Sequence, residues 1–199
     1  MQARTQQLIL AALFAALTAV GAFIRIPLPL VPITLQTFFV LLSGFVLGYF
    51  YGALSQVLYL IVGLIGFPVF AEGGGPGYVL KPTFGYLLGF PFAAAMVGYW
   101  THRAKKTLTF EQALIRIRSL SPAAIFLNGL TGMLCIFFPG ILYLYFAGRH
   151  FAQLDITFKQ TLLSGFLIFL PGDFLKLLVL YMLLKAVSSR IPEDKTGKL

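Results

Sequence analysis

The chain of 199 residues is 59% apolar and 11% charged, with 21 Phe and a mean hydropathy of +0.90, a composition that excludes an ordinary soluble domain. Its net charge of +9 arises from 15 Lys and Arg against 6 Asp and Glu, and the distribution of the bases reads as a membrane-topology signal rather than a nucleic-acid surface. Cys135 stands alone inside an apolar run, which excludes a disulfide framework and a cysteine metal cluster.

No charged side chain occurs from Thr5 to Ile24, from Ile26 to Ala71, from Pro82 to Thr101 or from Ser119 to Gly148. A hydrocarbon core of ~30 Å takes about 20 residues per helix, so these runs read as one, two, one and one spans. A last span runs from Pro171 to Val187. Peptide groups in lipid must be satisfied internally, and the runs lack the alternation of barrel strands, so an all-α integral membrane bundle is expected. One domain over 1–199 holds six spans, at about 8–24, 34–49, 53–67, 83–101, 123–146 and 171–187.

In chain order, the segment 8–22 can imitate a signal peptide ending at Val20-Gly21-Ala22, but its removal would leave five spans and spoil the charge pattern. Pro27, Pro29 and Pro32 stop the first helix. Spans two and three separate near Gly48-Tyr49-Phe50-Tyr51-Gly52, where two glycines bracket interfacial aromatics. The loop from Glu72 to Tyr78 holds four glycines and is conformationally permissive. Within the basic segment from His102 to Arg118, Leu108, Leu114, Ile115 and Ile117 suit a short surface helix. The run 158–170 is too short to span and is expected to lie at the outer surface or dip inward.

With six spans, Arg4, Arg103, Lys105, Lys106, Arg116, Arg118, Lys185, Arg190, Lys195 and Lys198 fall on one side, against Arg25, Lys81, Arg149 and Lys159 on the other. Ten against four marks the first side as cytoplasmic, so both termini are expected inside.

Asp173 and Lys176, three apart, share one helix face behind Pro171, either as a ligand site or as an ion pair that holds helices together. The amides of Gly73, Gly74 and Gly75 can form an anion-binding nest, or the loop is a plain hairpin; no Gly-Lys-[Ser/Thr] ending supports a nucleotide loop. Tyr78 and Tyr86 suit either a ligand ring or the interface. Ala11, Ala15 and Ala19, with Ala12 and Ala16 beside them, give the first span a smooth face for a neighbouring helix in this chain or in a partner. Gln36 and Asn128 are amides within spans that need hydrogen-bond partners, from packing or from a ligand. His102 and His150 lie at span ends and no catalytic constellation falls within the runs, so no catalytic residue, metal ligand or cofactor is expected.

Val31-Pro32-Ile33-Thr34-Leu35-Gln36-Thr37, Gly63-x-x-Gly66-x-Pro68-Val69-Phe70, the glycine loop leading to Pro82-Thr83-x-Gly85-Tyr86-Leu87, and Leu170-Pro171-Gly172-Asp173-x-x-Lys176 occur in this order. The series resembles the BioY family, the biotin-binding S components of energy-coupling-factor (ECF) vitamin transporters. The resemblance implies a six-helix subunit in the lipid of a bacterial-type plasma (inner) membrane that captures biotin from outside and works with a T component and two ATPases; some family members act alone or as oligomers. It implies that Asp173 and Lys176 contact the ureido head, and that Ala11, Ala15 and Ala19 face the T component. The carboxylate tail would then fall to the amides of Gly73, Gly74 and Gly75, with Lys81 adding charge. Lys81 and Leu87 depart from the family pattern, which often has a small residue before Pro-Thr and sometimes a base after Gly-Tyr. An S component for another vitamin, or an intramembrane enzyme, is the alternative.

Overall fold

The structure, a computed structural model, describes residues 2–103 and 109–190. Lys105, Lys106, Leu108, Lys195 and Lys198 lie outside the described residues. The elements in chain order are α1 (Gln2–Phe23), β1 (Arg25–Ile26), β2 (Ile33–Thr34), α2 (Gln36–Leu64), α3 (Phe84–His102), α4 (Phe110–Ser119), α5 (Pro122–His150), α6 (Phe158–Gly165) and α7 (Leu170–Ser188). Single 3₁₀ turns at Pro76–Leu80 and Leu167–Phe169 precede α3 and α7. The segment 158–170 therefore forms a short helix and turn leading straight into α7.

The decisive feature is inside α2. Gly48 has φ 75° and ψ −177°, a conformation open only to glycine, and the chain folds back on itself there. Gln36 Nε2 donates to the Tyr59 hydroxyl at 2.6 Å, although 23 residues of straight helix would hold the two about 35 Å apart. Gln56 likewise reaches Ser43 at 3.2 Å. The arms 36–47 and 49–64 are thus antiparallel. The hairpin tip packs under α3 at Gly98, where an added Cβ would lie 2.3 Å from the Gly48 carbonyl carbon.

Four stretches among the described residues are long and apolar enough to cross a membrane: Arg4–Phe23, Gln36–Leu64, Pro122–His150 and Phe158–Ser188. The expected six spans thus meet four such stretches, for two physical reasons. The α2 hairpin is one unbroken apolar run, and α3 is diluted by three glycines, two tyrosines, Trp100 and His102. Large apolar side chains such as Ile9, Phe92, Leu134, Phe138 and Phe174 stand exposed around the bundle, as a lipid-facing surface requires.

α3 lies between α2 and α5, and α1 packs along α2. Ala11 and Thr18 of α1 are fully buried, while Ala15 and Ala19 are half-buried against the core. Ala12 and Ala16 are exposed. The line Ala11, Ala15 and Ala19, expected to meet a partner, therefore faces this chain's own bundle, because consecutive positions on a helix diverge by about 100°.

At the end that carries the α2 tip, α4 lies across the bundle with Ala113, Leu114 and Ile117 buried and a capping box between Thr109 and Gln112. Arg116 Nε donates to the Thr101 carbonyl at 3.2 Å, and Lys185 Nζ donates to the Arg118 and Leu120 carbonyls at 3.0 and 2.7 Å.

Candidate functional site

α7 begins at the opposite end of the bundle, where Pro171 fits the first turn because its missing N–H has no helical partner to lose. Asp173 follows in that turn, a position where free amides and the helix dipole favour a carboxylate. The side chain is only 2% exposed, so its charge needs partners inside the protein. Lys176 Nζ lies 2.7 Å from Asp173 Oδ1 and donates to Thr37 Oγ1 at 3.1 Å. Asp173 Oδ2 is also buried, yet it accepts no hydrogen bond from the described residues. An ammonium has three donors and a carboxylate two oxygens, so the pair retains a donor and an acceptor for another molecule.

Both side chains line one cavity. Thr34 of β2, with Gln36 and Thr37 at the start of α2, completes the polar side. Gln36 Oε1 accepts from Thr34 Oγ1 at 2.9 Å, and its amide nitrogen donates to Tyr59, whose hydroxyl donates to the Val69 carbonyl at 3.1 Å. Opposite lie Tyr86, Leu87, Phe90, Phe137 and Phe169. The Tyr86 hydroxyl donates to the Gly165 carbonyl at 2.9 Å, so this residue offers the cavity its ring. Phe137 meets the rings of Tyr86, Phe166 and Phe169 at centroid distances of 6.2, 5.0 and 6.1 Å, which makes one aromatic wall from three elements.

Thr37 completes the charged pair but was not singled out in the sequence. Its only signal was its place at the end of the Val31–Thr37 motif, because a threonine in an apolar run is otherwise ordinary.

The glycine loop is built differently from expectation. Gly73 and Gly75 take φ values of 112° and 98°, but the Gly73 N–H is bonded to the Phe70 carbonyl at 3.2 Å and the Gly75 N–H to the Gly63 carbonyl at 2.7 Å. A Cβ on Gly74 would lie 2.1 Å from the Phe67 carbonyl oxygen. These glycines fold the loop tightly, and none of the three lines the cavity. Ala71 and Tyr78 of the same loop do. Burial pushes the Tyr78 phenol up from the ordinary tyrosine range, so it faces the cavity as a neutral hydroxyl.

Lys81 also stands outside this cavity, with its ammonium 3.2 Å from Glu72 Oε2 and 5.0 Å from the Tyr78 ring centroid. Asn128 lies at the other end of the bundle, where it donates to Thr101 Oγ1 at 3.4 Å. Of the expected ligand contacts, the fold brings together Asp173, Lys176, Gln36 and Tyr86; Lys81, Asn128 and the loop glycines serve elsewhere. Among the described residues no three His, Cys, Asp or Glu side chains gather as a metal site.

The model of the BioY family matches residues 1–193. A protein of Lysinibacillus sphaericus named "Probable biotin transporter BioY" is 42% identical over 87% of this chain and 82% of its own length. The "Biotin transporter BioY" of Thermotoga maritima is 38% identical over 87% of this chain and 90% of its own. Among solved structures, the S-component for biotin from an ECF-type ABC transporter superposes with a TM-score of 0.77 at 25% identity, covering 94% of this chain and 93% of that one.

Proposed function

The chain belongs to the BioY family, and we propose that it is the substrate-binding subunit of a biotin transporter, taking biotin from outside and mediating its uptake with energy from partner ATPases. The observation that carries this reading is the buried Asp173 paired with the half-buried Lys176 on the cavity wall, with Asp173 Oδ2 accepting no hydrogen bond from the described residues. A ureido ring has two N–H donors and one carbonyl acceptor. The carboxylate accepts from the former and the ammonium donates to the latter, each as a charge-assisted hydrogen bond. Gln36 retains one amide hydrogen and one lone pair for the same head group, and the aromatic wall suits the apolar flank of the fused ring.

Biotin is cargo in this reading, not a cofactor, and ATP belongs to the partners. The protein binds and delivers; it makes and breaks no covalent bond.

The bundle crosses the membrane six times when the two arms of α2 and the helix α3 count as crossings. The basic end, with Arg4, Arg103, Arg116, Arg118, Lys185 and Arg190, then lies in the cytoplasm of a bacterial-type cell. The partners are a T component and two ATPases, with the exposed Ala12 and Ala16 of α1 as the close-approach line for the T component.

The test is direct. Detergent-purified protein titrated with biotin, thiamin and riboflavin without ATP is expected to bind biotin alone with saturation. Saturable binding of another vitamin in place of biotin would overturn the choice of ligand.

A further inference from the structure

The polar side of the cavity accounts for the ureido end of biotin but leaves the opposite end, an anionic carboxylate on a flexible acyl chain, without a cationic partner. Among the described residues Lys176 is the only base lining the cavity, and Asp173 already neutralises it. Leu87 lines the wall as an apolar side chain.

A second positive charge beside the cavity comes from the short β ladder. Arg25 pairs directly with Thr34 across the antiparallel strands, and side chains of directly opposed residues stand on the same face. Thr34 is a cavity residue. The guanidinium also donates to the carbonyl of Ala71, a second cavity residue, contributed by the glycine loop. Arg25 thereby spans the seam between the two walls. Beyond that seam it lines an outer depression that shares Pro32 and Ala71 with the cavity. Lys81 occupies the same depression, but it is matched there by Glu72. Arg25 has only the neutral Ala71 carbonyl as its hydrogen-bond partner among the described residues. A guanidinium has five N–H groups in a planar fork suited to a carboxylate, so one bond to a carbonyl leaves most of it available. Its charge also acts on the phenol of Tyr78, which lines the cavity.

We propose that Arg25 receives the carboxylate of the ligand at the cavity mouth and makes the protein selective for a free acid. This inference rests on the biotin reading. The ureido head sits on Asp173 and Lys176, the acyl chain runs along the aromatic wall, and the carboxylate meets the guanidinium beside Ala71. The glycine loop then contributes through the position of one carbonyl, and its amides need not touch the ligand.

The experiment compares biotin with biotin methyl ester, which keeps the ureido head and removes the charge. Affinities are measured on purified full-length wild type, Arg25→Gln and Arg25→Lys. Arg25→Gln is expected to weaken biotin about tenfold or more and to leave the ester within about twofold of wild type. Arg25→Lys should recover part of the loss, as a point charge without the fork. Rising salt should weaken biotin more for wild type than for Arg25→Gln. Unchanged biotin affinity in Arg25→Gln would overturn the proposal. So would equal loss for acid and ester, which would assign Arg25 to holding Ala71. If wild type bound no biotin at all, the underlying reading would fall and this inference with it.

Discussion

Gln36 donates to the Tyr59 hydroxyl at 2.6 Å, and that hydroxyl donates to the Val69 carbonyl at 3.1 Å, so a wall of the cavity and the loop beside it hang on one phenol. Phe70, the next residue, is buried against the Tyr59 ring at 5.3 Å and fills the notch at Gly63. Tyr59→Phe keeps the ring and deletes the link, which strands a buried amide hydrogen and a carbonyl. A loss of about 1–3 kcal/mol in stability is expected, read as a lower thermal midpoint in detergent, together with faster amide exchange in 65–75. No change in either measurement would mean that the hydroxyl holds nothing.

Asp173→Asn replaces the acceptor that Lys176 needs, and Lys176→Ala leaves a buried carboxylate alone. Each should weaken biotin by at least ~1.5 kcal/mol, about tenfold, in calorimetric titration. The two changes share one interaction, so the double variant should lose less than the sum of the singles. Unchanged affinity in both single variants would remove the pair from the site.

Gly48 turns the α2 hairpin with a positive φ that side chains rarely adopt. Gly48→Ala is expected to cost about 1–3 kcal/mol of stability. A thermal midpoint equal to wild type would show that the turn accepts an ordinary backbone.

On α1, Ala11→Trp should prevent folding, since Ala11 is fully buried. Ala12→Trp and Ala16→Trp extend outward and should fold and bind biotin normally in detergent, yet reduce uptake in cells that supply the T component and ATPases. Normal uptake by both would place the partner on another face.

The sequence made the α-helical membrane class legible, because uncharged runs of this length have few other physical uses. It also pointed to the Leu170–Lys176 turn, where two opposite charges in an apolar helix stand out. It was less informative wherever a residue's meaning depends on rotation or on distant partners. The alanines of α1 form adjacent i, i+4 lines, and only packing decides which one is covered. Gln36 and Asn128 look alike as amides within apolar runs, but they lie at opposite ends of the bundle. The glycine loop declared its flexibility and concealed that its amides bond to Phe70 and Gly63. Arg25 was read only as a topology charge, because a two-residue strand leaves no periodic pattern.

The fold-back at Gly48 bears on how this chain is made. Its arms, 36–47 and 49–64, are about 18 and 24 Å long at 1.5 Å per residue, each shorter than a ~30 Å hydrocarbon core. Neither arm is a strong stop signal for an insertion machinery that reads one segment at a time. The pair is a better substrate, because Gln36 and Tyr59 satisfy each other only when both arms are present. Biogenesis should therefore treat 36–64 as a single unit, inserted as a closed hairpin before α3 arrives to pack over its tip.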